Sequence, residues 1–126
     1  MSDPVPMRQV FGETLRELAA SEPRLVVLDA DCSSSTQTRL FAEAFPERFF
    51  NCGIAEGNMV SMAAGMATCG LVPVVSTFAF LLAGRAADSV LSQVSYGRLN
   101  VKLAGGYCGL SDFADGASHQ SMHDLA

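Results

Sequence analysis

Positive charge is scarce in this chain. Eight Lys and Arg residues are scattered over 126 positions, against thirteen Asp and Glu, for a net charge of −5. Nucleic-acid binding needs a basic stripe that displaces counterions from phosphates, and none is present. Long hydrophobic runs are also missing: no stretch reaches the ~18 uninterrupted apolar residues of a membrane span. The opening MSDPVPMRQV has no apolar signal-peptide core. These absences predict a cytoplasmic protein with neither nucleic acid nor membrane as a partner. The four cysteines, Cys32, Cys52, Cys69 and Cys108, form no C-x-x-C pair and have no histidine at finger spacing, which argues against a zinc site. Without an export signal, disulfides are not expected either, and the thiols read as small buried side chains. The chain also lacks G-x-G-x-x-G, G-x-x-x-x-G-K-[ST] and G-x-S-x-G, which argues against a dinucleotide domain, a P-loop and a hydrolase elbow.

What is present is apolar. Hydrophobic residues make up 49% and charged residues 17%, where a charged share near ~25% is usual. At this length the chain is one domain, 1–126, and a small domain has much surface for its volume. Part of the apolar surplus therefore lies outside, and exposed apolar surface usually marks a partner.

Elements alternate along the chain. VPMRQVFGETLRELAASEP predicts a helix with Met7, Val10, Phe11, Leu15, Leu18 and Ala19 on one side, closed by Pro23. LVVLDAD reads as a strand buried on both faces. SSSTQTRLFAEAFP predicts a helix opened by capping hydroxyls and ended at Pro46, and ERFFNCG a short strand. AEGNMVSMAAGMATCG is helical in length but built from small residues; Gly65 there costs about 1 kcal/mol against alanine, tolerable where something packs on its backbone. LVPVVSTF is a third strand, LLAGRAADSVLSQVSYG a helix, and NVKLAGG a fourth strand leading into the polar loop YCGLSDFADGASHQ. A last helix starts in SHQSMHDLA, with Ser118 as its cap. The fold class is α/β with a mostly parallel sheet and helices on both faces.

Ligands in such sheets bind beyond the carboxyl ends of the strands, here the segments 29–35, 53–56, 77–80 and 105–119. Glu56 opens a helix in GIAEGNM, where the helix dipole favours a carboxylate by roughly 0.3–1 kcal/mol. It is either a first-turn acid or a functional one. Asp29 and Asp31 end the first strand and can cap the next helix or face a ligand. His119 lies in a loop beside Asp115 and near His123, either solvated or able to move protons. Phe78 and Phe80 are core residues or a platform. No one of these signals is specific.

Taken together, GIAEGNMVSMAAGMATCGLVPVVSTF, FADGASHQ, MRQVFGETL and DADCSSS resemble the pyrimidine-binding domain of transketolases, particularly those split into two subunits. The G-I-A-E run is also similar to deoxyxylulose-phosphate synthase. The likeness covers the chain from about Met7 to Ala126. It implies a three-layer thiamine-diphosphate-binding fold, with thiamine diphosphate as cofactor and a sugar or sugar phosphate as substrate. In that family the glutamate matching Glu56 hydrogen-bonds N1′ of the aminopyrimidine and shifts it toward the imino tautomer, whose 4′-imine removes the thiazolium C2 proton. The cofactor then serves as electron sink. The resemblance puts Phe78 and Leu81 in the pyrimidine pocket and Asp31 near the thiazolium. It puts Arg8 and Ser35 at a sugar phosphate, for which an arginine fork is suited, and Tyr107, Asp115 and His119 at substrate hydroxyls, with His119 also catalytic.

The departures are specific. Tyr107 stands where transketolases place a substrate histidine, Leu81 replaces a second aromatic, and Ala117-Ser118 replace the commoner pair before His-Gln. The family's G-D-G…N motif, which holds diphosphate and a divalent metal, is missing, so Mg2+ and diphosphate are expected on a partner chain. The family's domain also continues with further strands. The resemblance thus implies a domain that is C-terminally incomplete, completed by a partner such as a further C-terminal chain, or a truncated product. A decarboxylating ligase subunit and a non-catalytic assembly fragment are the alternative readings.

Overall fold

The computed structural model describes residues 4–122. Among them, four parallel strands form one sheet in the order β2-β1-β3-β4: β1 Leu25–Asp29, β2 Phe49–Asn51, β3 Val72–Phe78 and β4 Lys102–Gly106. All five β1 residues are buried, and their side chains alternate between two cores. Leu25 and Val27 join Val74, Leu15, Ala19 and Phe41 on one face. Val26 and Leu28 join Val75, Met59, Val60 and Ala63 on the other. Strand side chains have a period of two, so an unbroken apolar strand serves both faces, and helices must cover each. The result is the expected three-layer α/β sandwich.

The first layer holds α1 (Met7–Ser21) and α3 (Arg39–Ala44). Arg48 closes the C-terminal end of α1 by donating to the carbonyls of Ala19 and Glu22 at 3.1 and 3.2 Å, which satisfies acceptors that a helix end leaves open. The other layer holds α4 (Glu56–Thr68), α5 (Ala79–Gly84) and α6 (Ala87–Ser89), which runs into a π-helical turn, Val90–Ser95.

Several local expectations need correction. The apolar side predicted for α1 is only partly used: Leu15 and Ala19 are buried, whereas Met7, Val10 and Leu18 face outward. The helix expected over 33–46 is two, α2 (Ser33–Thr36) and α3, parted at Gln37 with φ 64°. No hydroxyl caps α2; Cys32 stands at its N-cap. The helix after β3 begins at Ala79 and breaks at Arg85 and Ala86. No helix opens at Ser118, which ends a 3-10 turn, Gly116–Ser118; Ser121 then bridges to Cys108 and Gly109. The remainder of that expected helix, with His123, lies outside the described residues.

The break at Gln37 locks α1 in place. A Cβ added at Gly12 would lie 2.3 Å from the Gln37 carbonyl oxygen, so only glycine lets α1 approach this closely. Gly12→Ala is expected to lower stability by about 1–3 kcal/mol, the cost of overpacking, seen as a lower urea midpoint at unchanged slope.

Candidate active site

Because the strands are parallel, their carboxyl ends share one rim, and the chain's chemically capable side chains gather there. Asp29, fully buried at the end of β1, is saturated. Its Oδ1 accepts the Cys32 backbone N–H at 2.7 Å, and its Oδ2 accepts the hydroxyls of Thr36 and Thr38 at 3.0 and 2.8 Å. None of these donors is an N–H of α2, which has no side-chain cap, so the carboxylate pins the strand-to-helix turn and does not cap the helix as expected. Asp31 is exposed, has φ 61° and accepts Asn51 Nδ2 at 3.0 Å.

Glu56 is the opposite case. It opens α4 with 2% exposure, and its carboxylate meets a single partner among the described residues, Arg85 Nη1, 3.4 Å from both oxygens. Arg85 lies 29 residues away in an unremarkable GRAAD segment, and no local signal singles it out.

A second group assembles at the other end of the rim. The Phe78 ring contacts Tyr107 and His119, each with centroids 4.9 Å apart, tilted and edge-on respectively. Tyr107, at φ 58°, donates its hydroxyl to the Ser35 carbonyl at 3.1 Å and accepts a short hydrogen bond from Arg8. His119 Nδ1 lies 3.0 Å from the Ser118 hydroxyl. Beside this group a cavity of about 540 Å³ opens between the start of α1 and the end of β4, lined by Arg8, Phe11, Thr36, Ser76, Gly105 and Tyr107 among others. Among the described residues no carboxylate pairs with Arg8, so a guanidinium bonded to the Tyr107 hydroxyl but without an ion-pair partner lines the opening.

The rim therefore joins Arg8, Ser35, Phe78, Tyr107 and His119, as far as contacts go. It does not join Glu56, Asp31, Leu81 or Asp115 to them. Leu81 is buried and Asp115 exposed on the loop. Asp112, which sequence patterning did not mark, is buried, with one carboxylate oxygen accepting the Asp115 N–H at 3.2 Å and the other without a partner among the described residues. Phe80 lies on α5. Among the described residues no three His, Cys, Asp or Glu side chains form a metal site, and no helix is long and apolar enough to cross a membrane.

A family profile for the transketolase pyrimidine binding domain matches residues 3–126. The chain belongs to that family. It is 51% identical over 120 residues to a protein named as a transketolase C-terminal section in Methanocaldococcus jannaschii, covering 95% of this chain and 38% of that protein. It is 43% identical over 128 residues to the 1-deoxy-D-xylulose-5-phosphate synthase of Syntrophus aciditrophicus, covering 98% of this chain and 19% of that protein. A solved split-gene transketolase, described as an inactive beta4 tetramer, superposes with a TM-score of 0.79 at 50% identity, covering 94% of this chain and 38% of that one. The transketolase pyrimidine domain seen here thus spans between a fifth and two fifths of these relatives.

The thiols are not uniformly buried: Cys69 and Cys108 are exposed, Cys32 and Cys52 half-buried. Burial first, and the Asp29 carboxylate second, push the Cys32 thiol from 9.0 up to about 12; the same two causes raise Cys52. An unfolded chain would release the Cys32 proton near 9, while the folded chain keeps it to about 12. The stability tied to the neutral thiol is therefore complete below 9 and declines as pH rises through that window. Cys32→Ala should flatten the decline, as measured by denaturant unfolding on either side of it.

Proposed function

We propose that residues 1–126 form the pyrimidine-binding domain in a subunit of a thiamine-diphosphate enzyme. It transfers a two-carbon ketol unit between sugar or sugar-phosphate substrates and is active only with a diphosphate-binding partner chain. The observation that carries this reading is Glu56: a carboxylate out of water, at the first turn of a helix, on the ligand rim of a transketolase pyrimidine domain, with one loose partner. A buried acceptor so lightly committed can take a hydrogen bond from a ligand's ring nitrogen. The residues present fit an aminopyrimidine at that point. Mg2+ and the diphosphate are assigned to the partner, in a cytoplasmic hetero-oligomer, because the family's G-D-G…N sequence is not in this chain and its described residues offer no metal cluster. The neighbour described as an inactive tetramer of a split-gene enzyme's β chain supports a subunit that needs a second kind of chain.

Thiamine diphosphate, when bound, supplies the carbanion and the electron sink. Glu56 holds or accepts the proton at the pyrimidine nitrogen, and Phe78 and Leu81 give that ring an apolar wall. Asp31, exposed at the end of the β1 turn, is the acidic group toward the thiazolium side. Arg8 and the Ser35 segment bind and orient the phosphate end of a sugar, where a planar guanidinium suits a dianion. Tyr107, Asp115 and His119 face substrate hydroxyls, and His119 moves a proton there.

Glu56→Ala is expected to cut ketol transfer by at least ~100-fold, the scale of a lost acid–base group, while size-exclusion still shows the assembled complex. Near-normal turnover in that variant would remove Glu56 from the mechanism.

A decarboxylating ligase is the second reading, favoured by Tyr107 in place of the family's substrate histidine. It is distinguished by release of carbon dioxide from a 2-oxo acid donor. In either chemistry Tyr107→Phe frees Arg8 and the Ser35 carbonyl from one hydroxyl. It should raise KM for a phosphorylated substrate about 2–10-fold, the worth of one hydrogen bond, with kcat moving less. A KM equal to that of the unmodified enzyme would take Tyr107 out of the substrate site.

A further inference from the structure

Glu56 is held by a residue to which the mechanism above gives no task. Arg85 follows α5 in the two-residue break before α6, and its Nη1 stands 3.4 Å from both Glu56 oxygens. A tight guanidinium–carboxylate pair is a fork of two parallel N–H bonds at about 2.7–2.9 Å. Here one nitrogen straddles both oxygens at the far end of hydrogen-bonding range. The two partners also differ in setting: the Glu56 side chain is 2% exposed and the Arg85 side chain 57%. The acceptor is fixed and dry, the donor loose and wet. No other described residue bonds the carboxylate, and a buried carboxylate stripped of its partner is costly.

A guanidinium is planar, cationic and rich in N–H donors. So is a protonated aminopyrimidine, and each needs the same lone pairs of Glu56. We propose that Arg85 is a placeholder for the cofactor's pyrimidine, keeping Glu56 paired and oriented until a ring nitrogen displaces it. The proposal rests on the thiamine reading of Glu56. Arg85 is then a positioning residue acting through Glu56, and cofactor binding works against the ion pair. The displaced side chain loses little, since more than half of it is already in water.

The test uses the complex with the diphosphate-binding chain and two readouts: thiamine diphosphate affinity with Mg2+ by calorimetric titration, and the thermal midpoint of the cofactor-free complex. Arg85→Met should lower the cofactor-free midpoint yet bind thiamine diphosphate more tightly, by up to about fivefold, the range for a half-exposed ion pair. Arg85→Lys should restore the midpoint and fall between the two in affinity. Unchanged or weaker binding by Arg85→Met overturns the placeholder role. If Arg85→Met does not assemble, Arg85→Gln, which keeps an N–H donor without the charge, carries the same comparison. Glu56→Gln separates the two ideas. If it binds thiamine diphosphate as the unmodified complex does, the reading of Glu56 fails and the placeholder with it. If it weakens binding while Arg85→Met changes nothing, the placeholder alone fails.

Discussion

The local geometry of the rim hangs on the carboxylate of Asp29. A buried carboxylate must be met by donors, and four converge on it: one backbone N–H, two threonine hydroxyls and, more distantly, the Cys32 thiol at 3.7 Å. To bring both Thr36 and Thr38 to one oxygen, the chain turns left-handed at Gln37 and divides what would be a continuous helix. The carbonyl of Gln37 then presses on Gly12 and fixes α1. The start of α1 carries Arg8, and the end of α2 is near Ser35, which anchors the Tyr107 hydroxyl. One desolvated acid thus determines where the cavity opens and which side chains border it. It also silences a neighbour, because the Cys32 thiol beside it is too weakly acidic to act as a nucleophile near neutrality.

Asp29, the last residue of β1, and Glu56, the first of α4, are both buried carboxylates on the same rim, and they differ in how their oxygens are met. The first has its lone pairs occupied by short bonds from its own loop and nothing to offer a ligand. The second has one long contact to a side chain half in solvent. Burial alone would not distinguish them; the number and tightness of their donors does.

The layered fold was legible because its signals are local. LVVLD is apolar throughout and so must be covered on both sides, and the run from Glu56 to Thr68 has helical length with small residues. What escaped was decided by partners distant in sequence. Nothing within SSSTQTRLF announces a break at Gln37, since its cause is Asp29 on one side and Gly12 on the other. The periodicity of α1 marks an apolar side but not how much of it a neighbour covers, and Met7, Val10 and Leu18 remain outside. The place of Glu56 at the start of a helix was legible in GIAEGNM. Its pairing with Arg85 was not, because that contact reaches across 29 residues. The link from Tyr107 to Arg8 spans 99 positions and leaves no trace in either segment.

Tyr107 ties together three parts of the rim: its ring lies on Phe78 after β3, and its hydroxyl holds both Arg8 of α1 and the carbonyl of Ser35 in α2. Exchanging this side chain would therefore unfasten the front of α1 from the strand rim and leave Arg8 and the Ser35 carbonyl to find another tether. At this one position a single ring and hydroxyl fasten a helix, a strand end and a turn to one another.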